Sequence, residues 1–215
     1  MIDESLIRCP FHTESALTHR SYTVGWICAL QLEVAAAMTM LDAHHGTLPQ
    51  NPRDINAYVL GRIGRHNVVI VALPAGEYGT NPAAAAVTNM QRSFESIEFC
   101  LIVGIGGGVP SPQNDIRLGD IVVSQPTAQD GGVIQYDRGR NEGGTQEEND
   151  QEGGRFVRTG SLNCPPPKIR AAISILQAKH HFSGSRKFVD YLSPAKNPYL
   201  PAIFTYPHGE SDNLF

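Results

Sequence analysis

From Thr23 to Leu30 the chain reads TVGWICAL, an unbroken apolar run of the kind a parallel strand buried on both faces requires. Beyond it, Gln31 to His44 carries Val34, Ala37, Met38 and Leu41 at three- and four-residue spacing, which predicts a helix with one apolar face. Together they read as a βα unit. Two further apolar runs, Asn56–Gly61 and His66–Leu73, flank Gly64 and predict a β-hairpin. The sheet is therefore expected to be mixed. Pro82 suits the first turn of a helix with Asn81 as its cap, and Ala83, Ala86, Val87, Met90 and Phe94 recur at helical spacing ahead of a strand at Phe99–Val103. Asp120–Ser124 predicts the next strand. Between Thr127 and Arg155 the composition turns to Gly, Gln, Glu, Asp and Asn, and residues 138–154 are expected to form a disordered insertion, too polar to fold alone. Pro165–Pro167 leads into a last helix with Ile169, Ala172, Ile173 and Leu176 on one stripe. Residues 1–21 read as a flexible arm and 22–215 as one domain.

Composition narrows the class. With 215 residues, 41% hydrophobic content and no long apolar run, the chain can bury a sizeable core and carries no transmembrane helix. The segment before Tyr22 lacks an apolar stretch of signal-peptide type, so a cytoplasmic location is expected. A net charge of −4 without a basic cluster argues against nucleic acid or an anionic membrane as partner. Cys9, Cys28, Cys100 and Cys164 are too far apart for a CxxC metal site and suggest no disulfide framework. The pairs His44-His45 and His180-His181 are adjacent rather than four apart and lie near predicted helix ends, where capping is the simpler account. No metal and no cofactor are expected.

The candidate chemistry lies at Cys100–Pro110, CLIVGIGGGVP, where a strand runs into three adjacent glycines. No Lys with a hydroxyl residue follows Gly108, which excludes a GxxxxGK[ST] phosphate loop. The GxGxxG dinucleotide pattern begins at Gly104 and Gly106 but meets Val109 at its sixth position, with Pro110 and Pro112 where a helix should start. Two readings stay open: a strand end that admits a flat or sugar-like ligand, and a tight turn whose glycines supply positive φ.

Four segments, Val24–Val34, Ala75–Ala84, Val103–Gly108 and Leu118–Ser124, occur in an order and spacing that resemble the nucleoside phosphorylase and nucleosidase superfamily, which includes purine and uridine phosphorylases and methylthioadenosine/S-adenosylhomocysteine nucleosidase. Gly104–Pro110, Val133–Asp137 and Arg158–Asn163 are similar to the nucleoside-phosphorylase domains of fungal proteins, often found beside NTPase or ankyrin-repeat modules. The resemblance implies a three-layer α/β/α fold around a central mixed sheet, with cleavage of a purine N-ribosidic bond at the strand ends. It implies as partners a purine nucleoside or nucleotide and further copies of the chain, in dimers or trimer-based assemblies.

Breaking a ribose–base bond passes through an oxocarbenium-like sugar, so the site needs a nucleophile and a means of neutralising the departing base. By resemblance Glu33 positions the attacking water, although a first-turn glutamate is also favoured by the helix dipole alone. Gly106, Gly107 and Gly108 match the loop against base and ribose, and Gly76, Gly79 and Thr80 match the turn at the sugar side, which a plain helix-entry loop also explains. Asp120 reads as a structural turn residue; Asp137 and Arg158 are family-like without an assigned role. Phosphorylases carry a Gly-Asp-Pro-x-Arg text and an arginine where this chain reads Ala29–Leu32 and Val103, which favours water over phosphate. Ile105 stands where relatives present a serine. The family's base-stacking aromatic, ribose-binding Met-Glu stretch and acidic pair have no match before Phe215; Ser211-Asp212 follows no apolar strand. The resemblance thus implies a domain incomplete at its C-terminus, with weak turnover or none, and as alternative a nucleoside-binding or interaction module.

Overall fold

A computed structural model of the chain describes residues 17–112, 114–142 and 155–183. They divide after Gly107 into two compact units. Most of the expected arm, residues 143–154 of the expected insertion, Cys9 and the Ser211-Asp212 pair lie outside the described residues.

The first unit is α/β. Its sheet holds β1 (Val24–Cys28), β2 (Ala43–His44), β3 (Ala57–Ile63), β4 (His66–Ala72) and β5 (Phe99–Ile102) in the order β2-β3-β4-β1-β5. The central strand β1 runs parallel to β4 and to β5, whereas β3 is antiparallel to both β4 and β2. The expected hairpin and mixed sheet are present, with Gly64 at φ 58° between Ile63 and its partner His66. β1 is buried almost throughout and β4 is buried from Val68 to Val71, as continuous apolar runs require.

Helix α1 (Gln31–Thr39) follows β1, and α2 (Thr80–Ser93) connects β4 to β5. Alternation along the strands sorts the core into two clusters. Val24, Cys28, Val68 and Ile70 meet Ala37, Val34 and Leu41 of the α1 segment. Ile27, Val69 and Val71, of opposite parity, and Leu60, the partner of Val69 on β3, meet Ala86, Met90 and Phe94 of the α2 segment, together with Tyr22. Close approach of α2 depends on Gly25, where an added Cβ would lie 2.6 Å from Met90 Cε and 2.8 Å from Cys100 Sγ.

Several boundaries differ from expectation. α1 stops at Thr39 instead of His44, because the Asp42 amide donates to the Arg62 carbonyl at 2.8 Å and draws the chain into β2; the Asp42 carboxylate then accepts the Gly64 amide at 2.6 Å. His44 is therefore a strand residue, and the His45 ring meets the Tyr22 hydroxyl at 2.9 Å (Nδ1) rather than capping a helix. Of the expected α1 stripe, Met38 is exposed. α2 begins at Thr80 after Gly79, so Asn81 is inside the helix and does not cap it.

The second unit contains the hairpin β6 (Gly139–Glu142) with β7 (Arg155–Arg158) and the helix α3 (Pro167–Ser183). The first residues of the segment expected as a disordered insertion are thus a paired strand. Asp120–Ser124 is not a strand: it pairs with no described segment, and Ile121, Val122 and Val123 are exposed. An apolar run records a demand for burial, and a strand forms only where a neighbour completes its ladder. Asp120 is the expected turn residue, its carboxylate accepting the Arg117 amide at 2.9 Å. On α3 the expected stripe is largely uncovered, with Ala172 and Leu176 exposed.

Candidate functional site

The parallel pairing of β1 with β4 and β5 brings three loops out at one end of the sheet. Register aligns Cys28 with Ala72 and Ile27 with Ile102, and the Leu73 and Val103 amides donate to the Cys28 and Ile27 carbonyls at 3.0 and 3.2 Å. Strand ends of this kind, carrying helices in opposite directions from a central strand, are where open α/β sheets hold ligands.

Glu33 occupies the third position of α1 and ties two of these loops together. Its Oε2 accepts the Leu30 amide at 2.9 Å, the N-cap donor that a helix start leaves orphaned, and the preceding Ala29 amide at 2.7 Å. Its Oε1 reaches across to the end of β5 and accepts the Ile105 amide at 2.8 Å. Partial burial pushes the Glu33 carboxyl up, but the Leu30, Ile105 and Ala29 amides outweigh it and hold the group below its ordinary value. Glu33 is therefore ionised at neutral pH. Its charge acts on Cys28, whose thiol is pushed up to about 11, mainly by burial and secondly by Glu33.

Gly104 makes this contact possible. A Cβ there would stand 2.8 Å from Glu33 Cδ and closer still to Oε1. Gly106 and Gly107 face open space, and an added Cβ would meet nothing within 4 Å. Gly108, in the second unit, lies against Ile116, whose Cγ2 would be 2.7 Å from such a Cβ. None of these four glycines has a positive φ, so a turn that needs left-handed residues is not their purpose. Gly76 and Gly79 differ: φ is 85° and 102°, with open space around each, so conformation explains them. They and Thr80 form the exposed entry to α2 at the same end of the sheet, and share no hydrogen bond with Glu33 among the described residues.

Sequence reasoning did not single out Ile105 as a partner of Glu33, since a backbone donor 72 residues away leaves no mark in the side-chain text. It also missed a polar network beside α2. There Asp54 accepts the Tyr58 hydroxyl at 2.8 Å, the Ser93 hydroxyl and the Asn56 amide at 3.0 Å, while Asn56 Nδ2 donates to the Ala86 carbonyl at 2.8 Å. Next to it is a cleft of about 240 Å³ whose walls include His19, His45, Tyr58 and Ser93. Its lining contains none of the residues expected to bind substrate. Among the described residues no cluster of His, Cys, Asp and Glu could hold a metal ion, and no helix is long and apolar enough to cross a membrane.

Fold and strand-end carboxylate together define an α/β protein with a mixed five-stranded sheet. Over 213 residues the chain is 46% identical to a nucleotide-binding leucine-rich repeat (NLR)-like protein from Hyaloscypha variabilis (strain UAMH 11265 / GT02V1 / F). The match takes in 99% of this chain and 20% of that protein, so the chain spans about a fifth of its relative's length. No family model and no solved structure matches the chain.

Proposed function

We propose that the chain is a nucleosidase-like domain of the nucleoside phosphorylase superfamily, taking a purine nucleoside or nucleotide at the carboxyl ends of β1, β4 and β5 and cleaving its N-ribosidic bond with water. The observation that carries this reading is the ionised Glu33 carboxylate bridging the start of α1 and the glycine end of β5. Oε1 accepts one amide and keeps a lone pair for a water hydrogen, which would hold that water for attack on the anomeric carbon. The loops at residues 29–33, 73–80 and 103–107 contain no Lys or Arg, and they add Glu77 to the negative charge of Glu33. A phosphate nucleophile would be repelled there, whereas water is not. The opposed α1 and α2 clusters support the three-layer α/β/α arrangement that this reading includes. The reading also includes a cytoplasmic location and assembly as dimers or trimer-based oligomers.

A second reading rests on the length of the relative. A domain that occupies a fifth of an NLR-like protein can serve the larger chain as a nucleoside-binding or interaction module without turnover. Purine release from adenosine, inosine and methylthioadenosine, with and without phosphate, separates the two, measured on this chain and on a longer piece of the same protein. Phosphate-independent release that Glu33→Gln lowers by 10²-fold or more supports the enzyme. Calorimetric binding of adenosine without release supports the module, and neither release nor binding sinks both.

A further inference from the structure

We infer that Glu33, beyond the water it would hold, has a second role as a positioning residue acting through the backbone, with Gly104 as its obligatory partner: by holding Ile105 it fixes the glycine loop in the conformation a ligand meets. The nucleosidase reading supplies the ligand, and on that reading alone rests the second half of the inference.

The geometry separates the two oxygens. Oε2 serves its own helix through Ala29 and Leu30, four and three residues away, as a glutamate in a first turn commonly does. Oε1 does something that helix capping does not require, since Ile105 belongs to the loop that follows β5, the strand on the other side of β1 from β4. Without that bond the Ile105 amide would have no partner among the described residues, and the segment from Val103 to Gly107 would be tied to the sheet only by the Val103 amide at 3.2 Å. Its side chains cannot anchor it, because Val103 is 41% and Ile105 68% exposed. Three of its five residues are glycine, so the free loop has a wide choice of conformations and a single charge-assisted bond removes much of it. Gly104 admits the carboxylate at a distance any side chain would block. Gly106 and Gly107, in open space just beyond, are what the clamp presents.

Hydrogen exchange at the Ile105 amide, read residue by residue on the chain as it stands, tests the clamp with no ligand present. Glu33→Gln and Gly104→Ala are each expected to speed exchange at Ile105 at least tenfold, and the double variant no further than either single one. The Ile105 amide shift in the unaltered chain is expected to follow one titration, the same one that the Glu33 side-chain carbonyl reports. A glutamate that only caps its helix would disturb Ala29 and Leu30 and leave Ile105 unmoved; that outcome, or additive effects of the two substitutions, overturns the clamp. If Glu33→Gln does not fold, Gly104→Ala and the titration decide alone. Adenosine affinity then addresses the ligand: a loss of fivefold or more in both variants supports positioning, and unchanged affinity alongside fast exchange overturns it. An unaltered chain that binds none of adenosine, inosine and methylthioadenosine refutes the nucleosidase reading, while exchange at Ile105 still decides whether the clamp exists.

Discussion

Exchanging Glu33 for Gln removes a charge and puts a donor among the Ala29, Leu30 and Ile105 amides, all of which need acceptors. Hydrogen bonds to charged groups contribute about 1.5–3 kcal/mol net, and Gln keeps one oxygen that can still accept, so a loss of about 1–2 kcal/mol is expected for Glu33→Gln in urea unfolding. The pH dependence fixes its origin. The folded carboxyl lies below an unfolded value of roughly 4.3, so its contribution is complete above that pH and disappears as pH falls through the lower, folded value. The stability gap between the two proteins should be constant from about pH 6 to 8 and shrink as pH falls below the unfolded value; a gap that persists unchanged in acid would place the effect in packing. At this scale the text was half legible. A glutamate early in α1 could be read off directly, and so could the strand that ends in glycines, but not the bond between them.

The elements were legible where one periodicity dominated a long run: β1, the β3–β4 hairpin, α2 and β5 all stand where apolar spacing places them. β2 escaped because two residues carry no period, and β6 and β7 because Arg140, Asn141, Glu142 and Arg155 make a ladder from polar side chains. Asp120–Ser124 failed in the opposite way, being apolar but unpaired. Two glycines set the distances between elements, and their neighbours rank them. At Gly61 an added Cβ would lie 2.7 Å from the Ala43 carbonyl oxygen, which is backbone, and 2.5 Å from Leu41 Cδ1. At Gly25 the obstacles are the mobile end of Met90 and the Cys100 sulfur. Gly61→Ala should therefore cost more than Gly25→Ala, with about 1–3 kcal/mol for overpacking at the milder site. Thermal unfolding of both variants checks the order, and equal costs would mean that β2 yields as easily as a methionine tip.

Across the whole molecule, burial is uneven. Every buried apolar side chain among the described residues lies between Tyr22 and Phe94, while Leu118, Val122, Ile134, Ile175 and Phe182 are exposed. Local stability follows buried contacts, so amide exchange should be slowest in β1, β4 and α2 and at least a hundredfold faster through residues 114–142 and 155–183. Uniform protection along the chain would contradict that partition. The order β2-β3-β4-β1-β5 has one more consequence, and it concerns handling at the bench. β5 ends the sheet, its outer amides and carbonyls have no strand beside them among the described residues, and Ile102 is 78% exposed on it. An apolar edge of this kind templates sheet growth between molecules. Purified alone, the chain should become turbid in proportion to its concentration, and Ile102→Lys should keep it clear by light scattering at concentrations where the parent precipitates, because a charged edge is one that neighbouring molecules cannot extend.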